Sequence, residues 1–295
     1  MSEPAPDVAS EIFAVGALRG RSVLVTGGGT GLGRETALEL ARCGASVTIT
    51  GRREEVLAEA AAGAAGMEGE IGWVAGDVRE VEEARRIVGE VLARRGRLDV
   101  LVNNAGGQFF SPAELIVAKG WRAVWRLNVG GMLNMAEAAH ELAFAEAGSG
   151  TVINVTLSPH HGMPGMVHSG AARATVEALT AELAARWAPE GVSVVAVAAG
   201  HFATEVTAKY PESVRAGASR TVPLQRLGEP IEHAWLVAML ASPLGRGFSG
   251  STVTLDGARD NWFGPWPPPG LAGDDGAVPV EERKGAGAVE GPGLQ

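Results

Sequence analysis

At 295 residues the chain has room for one large α/β domain or two small ones, and a hydrophobic share of 46% allows a sizeable buried core. A net charge of −9 argues against a nucleic-acid surface, and a single cysteine, Cys43, excludes an internal disulfide. No apolar run approaches the roughly 18 residues of a membrane span, and Met1 to Ser10 carries no charged-then-apolar leader pattern, so a soluble cytoplasmic protein is expected.

Residues 1–17 read as an N-terminal extension. The first strand is predicted at 22–26, and Thr26-Gly27-Gly28-Gly29-Thr30-Gly31-Leu32-Gly33 follows it and opens an apolar-periodic helix, Arg34 to Cys43. Strand, glycine turn and helix in that order bring bare backbone N–H groups and a helix N-terminus up to a pyrophosphate. A Cβ at the glycines would block the turn or the close approach, so a bound dinucleotide is expected at Gly27, Gly29, Thr30, Gly31, Leu32 and Gly33. Cys43, inside the apolar helix, reads as a buried structural thiol. Further strands are predicted at 46–50, 71–75, 98–102, 150–156, 192–198 and 251–255. Between them, segments such as 80–94 put Val81, Ala84, Val88 and Val91 on one helical face. Seven strands alternating with helices imply one α/β domain over 18–260, a doubly wound parallel sheet with ligands outside the carboxyl ends of its strands. The 42 glycines, about twice the usual share, suit many tight junctions. After Asp260 the composition changes: Trp262, Phe263 and Trp266 stand among prolines, and 270–295 has little to bury. The tail 261–295 is therefore expected to pack through its aromatic part and to be disordered beyond it.

Five features in this order resemble the short-chain dehydrogenase/reductase family, whose fold is the Rossmann sheet: the glycine turn, Asp77-Val78, Asn103-Asn104-Ala105-Gly106, Asn128, and Val253-Thr254-Leu255-Asp256-Gly257. The resemblance implies that Asp77 and Val78 hold adenine, that Asn104, Ala105 and Gly106 border the adenosine ribose, and that Asn128 belongs to the catalytic group. Gly200 stands in the Ala199-Gly200 pair that replaces the family's Pro-Gly, and 201–220 corresponds to its substrate lid, which includes Tyr210. At the end of the second strand an NAD site carries a carboxylate; here Gly51 is followed by Arg52 and Arg53, which suit a 2′-phosphate, so NADP(H) is the expected coenzyme. No metal is expected.

The family's Tyr-x-x-x-Lys pair is replaced by Ser169 and Arg173, and its serine is represented by Thr156 or Ser158. A serine is a far poorer acid than a phenol of pKa about 10, and arginine keeps its proton to about pH 12, so ordinary ketone reduction is disfavoured. Reducing a carbon–carbon double bond conjugated to a thioester instead spreads charge onto the thioester oxygen, which hydrogen-bond donors stabilise without transferring a proton. Thr156, Ser158 and Ser169 are the expected donors. Gly162-Met163-Pro164, the segment His168 to Ala174, and Asn103 to Phe109 are similar to the trans-2-enoyl-CoA and 2,4-dienoyl-CoA reductases of that family. Arg173 is then expected to bind the nicotinamide ribose. His160, His161 and His168 are candidate acids because imidazole titrates near neutrality, with His161 counted in the catalytic set. The expected function is NADPH-dependent reduction of an acyl or enoyl substrate by a homotetramer or homodimer, with long helices at 112–146 and 166–188 supplying the paired faces. A non-redox isomerase or cyclase with a structural nucleotide, or a nucleotide-sensing protein without turnover, would also lack the usual pair.

Overall fold

The computed structural model describes residues 8–158, 160, 165–205 and 221–261. Seven strands form one parallel sheet: β1 (Ser22–Thr26), β2 (Ser46–Gly51), β3 (Glu70–Ala75), β4 (Val100–Asn103), β5 (Gly150–Leu157), β6 (Val192–Ala199) and β7 (Thr252–Leu255), in the order β3-β2-β1-β4-β5-β6-β7. The predicted strands are all present, their ends moved by no more than two residues. The order reverses between β1 and β4, which pair through Val23 with Val100 and Val25 with Val102. The chain leaves the carboxyl ends of these two strands toward opposite faces of the sheet, which opens a crevice there.

Alternation along each strand builds two cores. Leu24, Leu101 and Val152 point to one face, where they meet α3 (Val81–Arg95), the helical run α4 (Ala118–Trp125), α5 (Gly131–Ala139) and α6 (Ala145–Ala147), and α7 (Val167–Trp187). Val23, Val25, Ile153 and Val155 point to the other, against α1 (Gly31–Arg42), α2 (Glu54–Ala62) and α8 (Pro230–Ala241). Strands covered on both faces must be apolar throughout, which is why they read as short apolar runs. Cys43 sits in the second core, and burial pushes its thiol up to about 12.

The expected helix at 112–146 differs in detail. Pro112 precedes a short 3-10 turn, Ala113–Leu115, and the helical run begins only at Ala118. Two π turns, Arg126–Gly130 and His140–Phe144, interrupt it. Each inserts a residue into the α repeat, and the first carries Asn128. Most of the expected lid, Tyr210 included, and the tail aromatics Trp262, Phe263 and Trp266 lie outside the described residues. Among the described residues no helix is long and apolar enough to cross a membrane.

Candidate active site

The glycine turn is closed by contacts from a distant strand. Thr26 Oγ1 accepts the N–H groups of Asn104 (3.0 Å) and Ala105 (2.9 Å), and the Asn104 amide donates to Thr26 O (3.0 Å) and Gly27 O (3.3 Å). A Cβ at Gly33 would lie 2.4 Å from Gly27 O and 2.3 Å from Asn104 Nδ2, so only glycine fits. Thr30 stands at the start of α1 without using its side chain as a cap, which leaves the first-turn amides facing the crevice. Every residue expected to hold the dinucleotide lines one cleft of about 830 Å³: Gly27, Gly29 to Gly33, Arg52, Arg53, Asp77, Val78, Asn104 to Gly106, and Gly200. A hollow of bare amides at a helix start, extended by two arginines, fits a dinucleotide phosphate chain. Asp77 is held by Arg79 Nε at 2.8 Å, and that bond sets its carboxyl below the usual range.

At the far end of the cleft the catalytic candidates are placed unequally. Thr156 and Arg173 line it; Asn128, Ser158 and Ser169 lie behind the wall; His161 is outside the described residues. Arg173 donates from Nη1 to Val155 O at 2.8 Å, and its Nε has no hydrogen-bond partner. Loss of water around the guanidinium lowers its pKa to about 10, so it remains a cation at neutral pH. The side chain fills the space above Gly106, where a Cβ would come within 2.2 Å of Nη2.

Asn128 serves the loop after β4. Its amide donates to Gly107 O (2.8 Å) and Val124 O (2.9 Å), and its carbonyl accepts from Gly107 N (3.1 Å). Ser169 donates to Gln108 Oε1 at 2.8 Å, and Ser158 donates to Asp256. Thr156 donates to Glu177 Oε1 at 2.7 Å. The three hydroxyls expected to face a substrate oxygen therefore all have protein acceptors, and only Thr156 reaches the cleft. His168 is buried, 4.3 Å from the Phe109 ring and 6.1 Å from Trp121 between centroids; neither ring nitrogen has a partner, and desolvation lowers its pKa. It packs as an aromatic ring.

Several side chains at this end were missed in the sequence. Gln108 and His201 line the cleft, and burial holds His201 below its ordinary pKa. Glu177 follows Ser169 and Arg173 at four-residue steps on α7, a spacing that placed it on the same helical face and could have revealed it. Asp260 offered no such signal, since it lies where the composition changes. Among the described residues no group of His, Cys, Asp and Glu is arranged to hold a metal ion.

The family model described as Enoyl-(Acyl carrier protein) reductase matches residues 27–258. A Bacillus subtilis protein described as "Probable 2,4-dienoyl-CoA reductase" is 35% identical over 252 residues, covering 84% of this chain and 98% of that protein. The peroxisomal 2,4-dienoyl-CoA reductase of Arabidopsis thaliana is 32% identical over 256 residues, covering 83% and 86%. Among solved structures, the citronellol catabolism dehydrogenase AtuB of Pseudomonas aeruginosa superposes with a TM-score of 0.76 at 39% identity, covering 84% of this chain and 98% of its own. With the crevice at the strand reversal, the glycine turn and these matches together, the chain belongs to the short-chain dehydrogenase/reductase family and is an oxidoreductase of the nicotinamide-dependent kind.

Proposed function

We propose that the protein is an NADPH-dependent reductase of a carbon–carbon double bond conjugated to a thioester, of the enoyl-CoA type. The observation that carries the proposal is the cleft end itself: a half-buried, poorly solvated cation, Arg173, stands there without a phenol, since residue 169 is a serine turned toward Gln108. A fixed positive charge in a low-dielectric wall stabilises a developing enolate oxygen and has no proton to give at neutral pH. The names of the relatives, 2,4-dienoyl-CoA reductases among them, support the same substrate class.

When bound, the nicotinamide supplies a hydride. The chain's own residues do the rest. The α1 amides hold phosphate, Arg52 and Arg53 at the α2 start bind the 2′-phosphate, and Asp77 and Val78 flank adenine. Arg173 neutralises charge at the thioester oxygen and contacts the nicotinamide ribose. Asn128 and Ser169 act through the loop 106–108, which they pin from behind. We further propose a homodimer or homotetramer, because Leu115, Val117, Trp125 and Val167 expose apolar surface on and beside the long helices.

The test is spectrophotometric oxidation of NADPH with 2-enoyl-CoA, 2,4-dienoyl-CoA and simple ketones. Turnover of the thioesters but not the ketones is expected. Nucleotide binding without turnover on any substrate would transfer support to a non-redox reaction.

A further inference from the structure

Behind Thr156 runs an unbroken line of hydrogen-bonded groups drawn from three elements. Thr156, near the end of β5, gives its hydroxyl proton to Glu177 Oε1 on α7 at 2.7 Å. The same carboxylate meets His160 Nε2 at 3.0 Å. On its other side His160 Nδ1 is 2.5 Å from Asp260 Oδ2, and its backbone N–H donates to Asp260 Oδ1 at 2.6 Å. Asp260 is anchored in turn, its N–H donating to Asp256 at 2.7 Å. One end of the line, Thr156, lies on the cleft wall; the other, His160, keeps 29% of its side chain open to water.

We propose that His160, Glu177 and Thr156 form a proton relay from solvent to the cleft, with the Thr156 hydroxyl delivering the proton to the α-carbon of the reduced substrate. The proposal rests on the enoyl-thioester reading above. It supplies what the Ser169 and Arg173 pair cannot, a source for the second hydrogen of the reduction. The balance is simple. Hydride arrives at the β-carbon and leaves an enolate. The α-carbon takes the Thr156 hydroxyl proton as the thioester carbonyl re-forms. At rest Thr156 donates to the Glu177 carboxylate. Once Glu177 has taken a proton from the His160 imidazolium the bond reverses: Glu177 donates to the Thr156 oxygen as the Thr156 proton turns to the α-carbon, and His160 is reprotonated from solvent. Because each oxygen gains a proton as it loses one, no alkoxide accumulates, which removes the objection that an alcohol is too weak an acid.

Asp260 orients the imidazole so that Nε2 faces Glu177, as a carboxylate behind a catalytic histidine does. Burial opposes charge on His160, but the hydrogen bond to Asp260 and the nearby charges of Glu177 and Asp260 outweigh it and raise the pKa. The other charged groups close to the line are Asp256, Arg259 in the adjoining turn, and Arg173 one turn earlier on α7.

The experiment compares the full-length wild type with Glu177→Gln and His160→Gln in two ways. Kinetics with NADPH and 2,4-dienoyl-CoA should show kcat falling as pH rises through the His160 pKa in the wild type. Glu177→Gln should lower kcat about 10²-fold, flatten that limb and leave KM and NADPH affinity within about twofold. His160→Gln should behave alike. NMR titration of His160 should give a midpoint above the ordinary ~6.5, falling in Glu177→Gln. A wild type active on the thioester, with variants unchanged in kcat and pH profile, would overturn the relay and leave the reductase reading standing. A wild type inactive on every thioester would overturn that reading; an unmoved His160 midpoint would overturn the relay whichever way turnover falls. A shared loss of thermal stability and KM, with the pH limb intact, would reduce the line to a structural clamp and overturn it too.

Discussion

Arg52 and Arg53 reach the cleft from the start of α2, and among the described residues neither is engaged in an ion pair. Cations at the positive end of a helix are mildly unfavourable, so an anionic ligand gains both charges without displacing a partner. Arg52→Ala is expected to weaken NADPH binding by roughly 1–3 kcal/mol and to leave NADH nearly unchanged, as read by fluorescence titration of each coenzyme. The adjacent Gly51 is open on its side-chain face: a Cβ there would meet only Leu57, at 3.5 Å. Gly51→Asp should thus be tolerated and should repel the 2′-phosphate, moving preference toward NADH; equal losses for both coenzymes would remove Arg52 and Gly51 from coenzyme choice. Ser169 calls for a different expectation. Since its hydroxyl serves Gln108, Ser169→Ala should lower kcat about fivefold, in line with one neutral hydrogen bond of about 1 kcal/mol. The pH profile should not move. Restoring the family pair with Ser169→Tyr and Arg173→Lys should not improve thioester reduction; a large gain would sink the enolate account.

At the scale of elements, the helical run from α4 to α6 carries the least expected geometry. The π turn at Arg126–Gly130 presents Asn128 to both backbone groups of Gly107 while keeping Val124 O satisfied. Asn128→Ala would leave three backbone groups without that partner, one of them buried and two half-buried. A loss of about 1–3 kcal/mol is expected in urea unfolding, with slower turnover from a loosened 106–108 loop. An unchanged midpoint would mean that water replaces the amide. A second polar line crosses the sheet: Asn103 donates to Asn154 at 3.0 Å, and Asn154 donates to Thr180 at 2.9 Å, tying β4, β5 and α7 together. The strands and the glycine turn were legible in the sequence because burial on both faces and close phosphate approach each restrict residue type over several consecutive positions. The π turns were not, since one inserted residue in an apolar helix barely disturbs its periodicity. Nor could sequence order reveal that the hydroxyls of Thr156, Ser158 and Ser169 would be taken by Glu177, Asp256 and Gln108. Those acceptors come from 21, 98 and 61 positions away.

Across the whole molecule, acid should act through histidines buried without charge. His233 is fully buried between α8 and α1, sharing a hydrogen bond of 3.3 Å with Thr36 and packing edge-on to Phe202, while its Nε2 has no partner. Desolvation lowers its pKa to about 4. The sign follows directly. The unfolded chain takes up a proton at about pH 6.5 and the folded chain only near pH 4, so stability is lost as pH falls between these values, by about 3 kcal/mol in full. In His233→Gln that component should vanish, and the difference in unfolding free energy between variant and wild type should shrink as pH drops from 7 to 4. A constant difference would show that His233 is not the group responsible.

The junction of Thr26 with Asn104 has a consequence for the lifetime of the protein. These residues lie 78 positions apart and meet only when β4 has docked beside β1. A chain in which β4 has not docked beside β1 lacks the closed hollow, so the nucleotide favours the docked, folded form. Ligand at a hundredfold excess over its Kd then adds about 2.7 kcal/mol to the folded state. Wherever degradation proceeds through global opening, a protease should cut the saturated protein about a hundredfold more slowly than the bare one. The amount of enzyme that survives in a cell would thus follow the supply of its coenzyme.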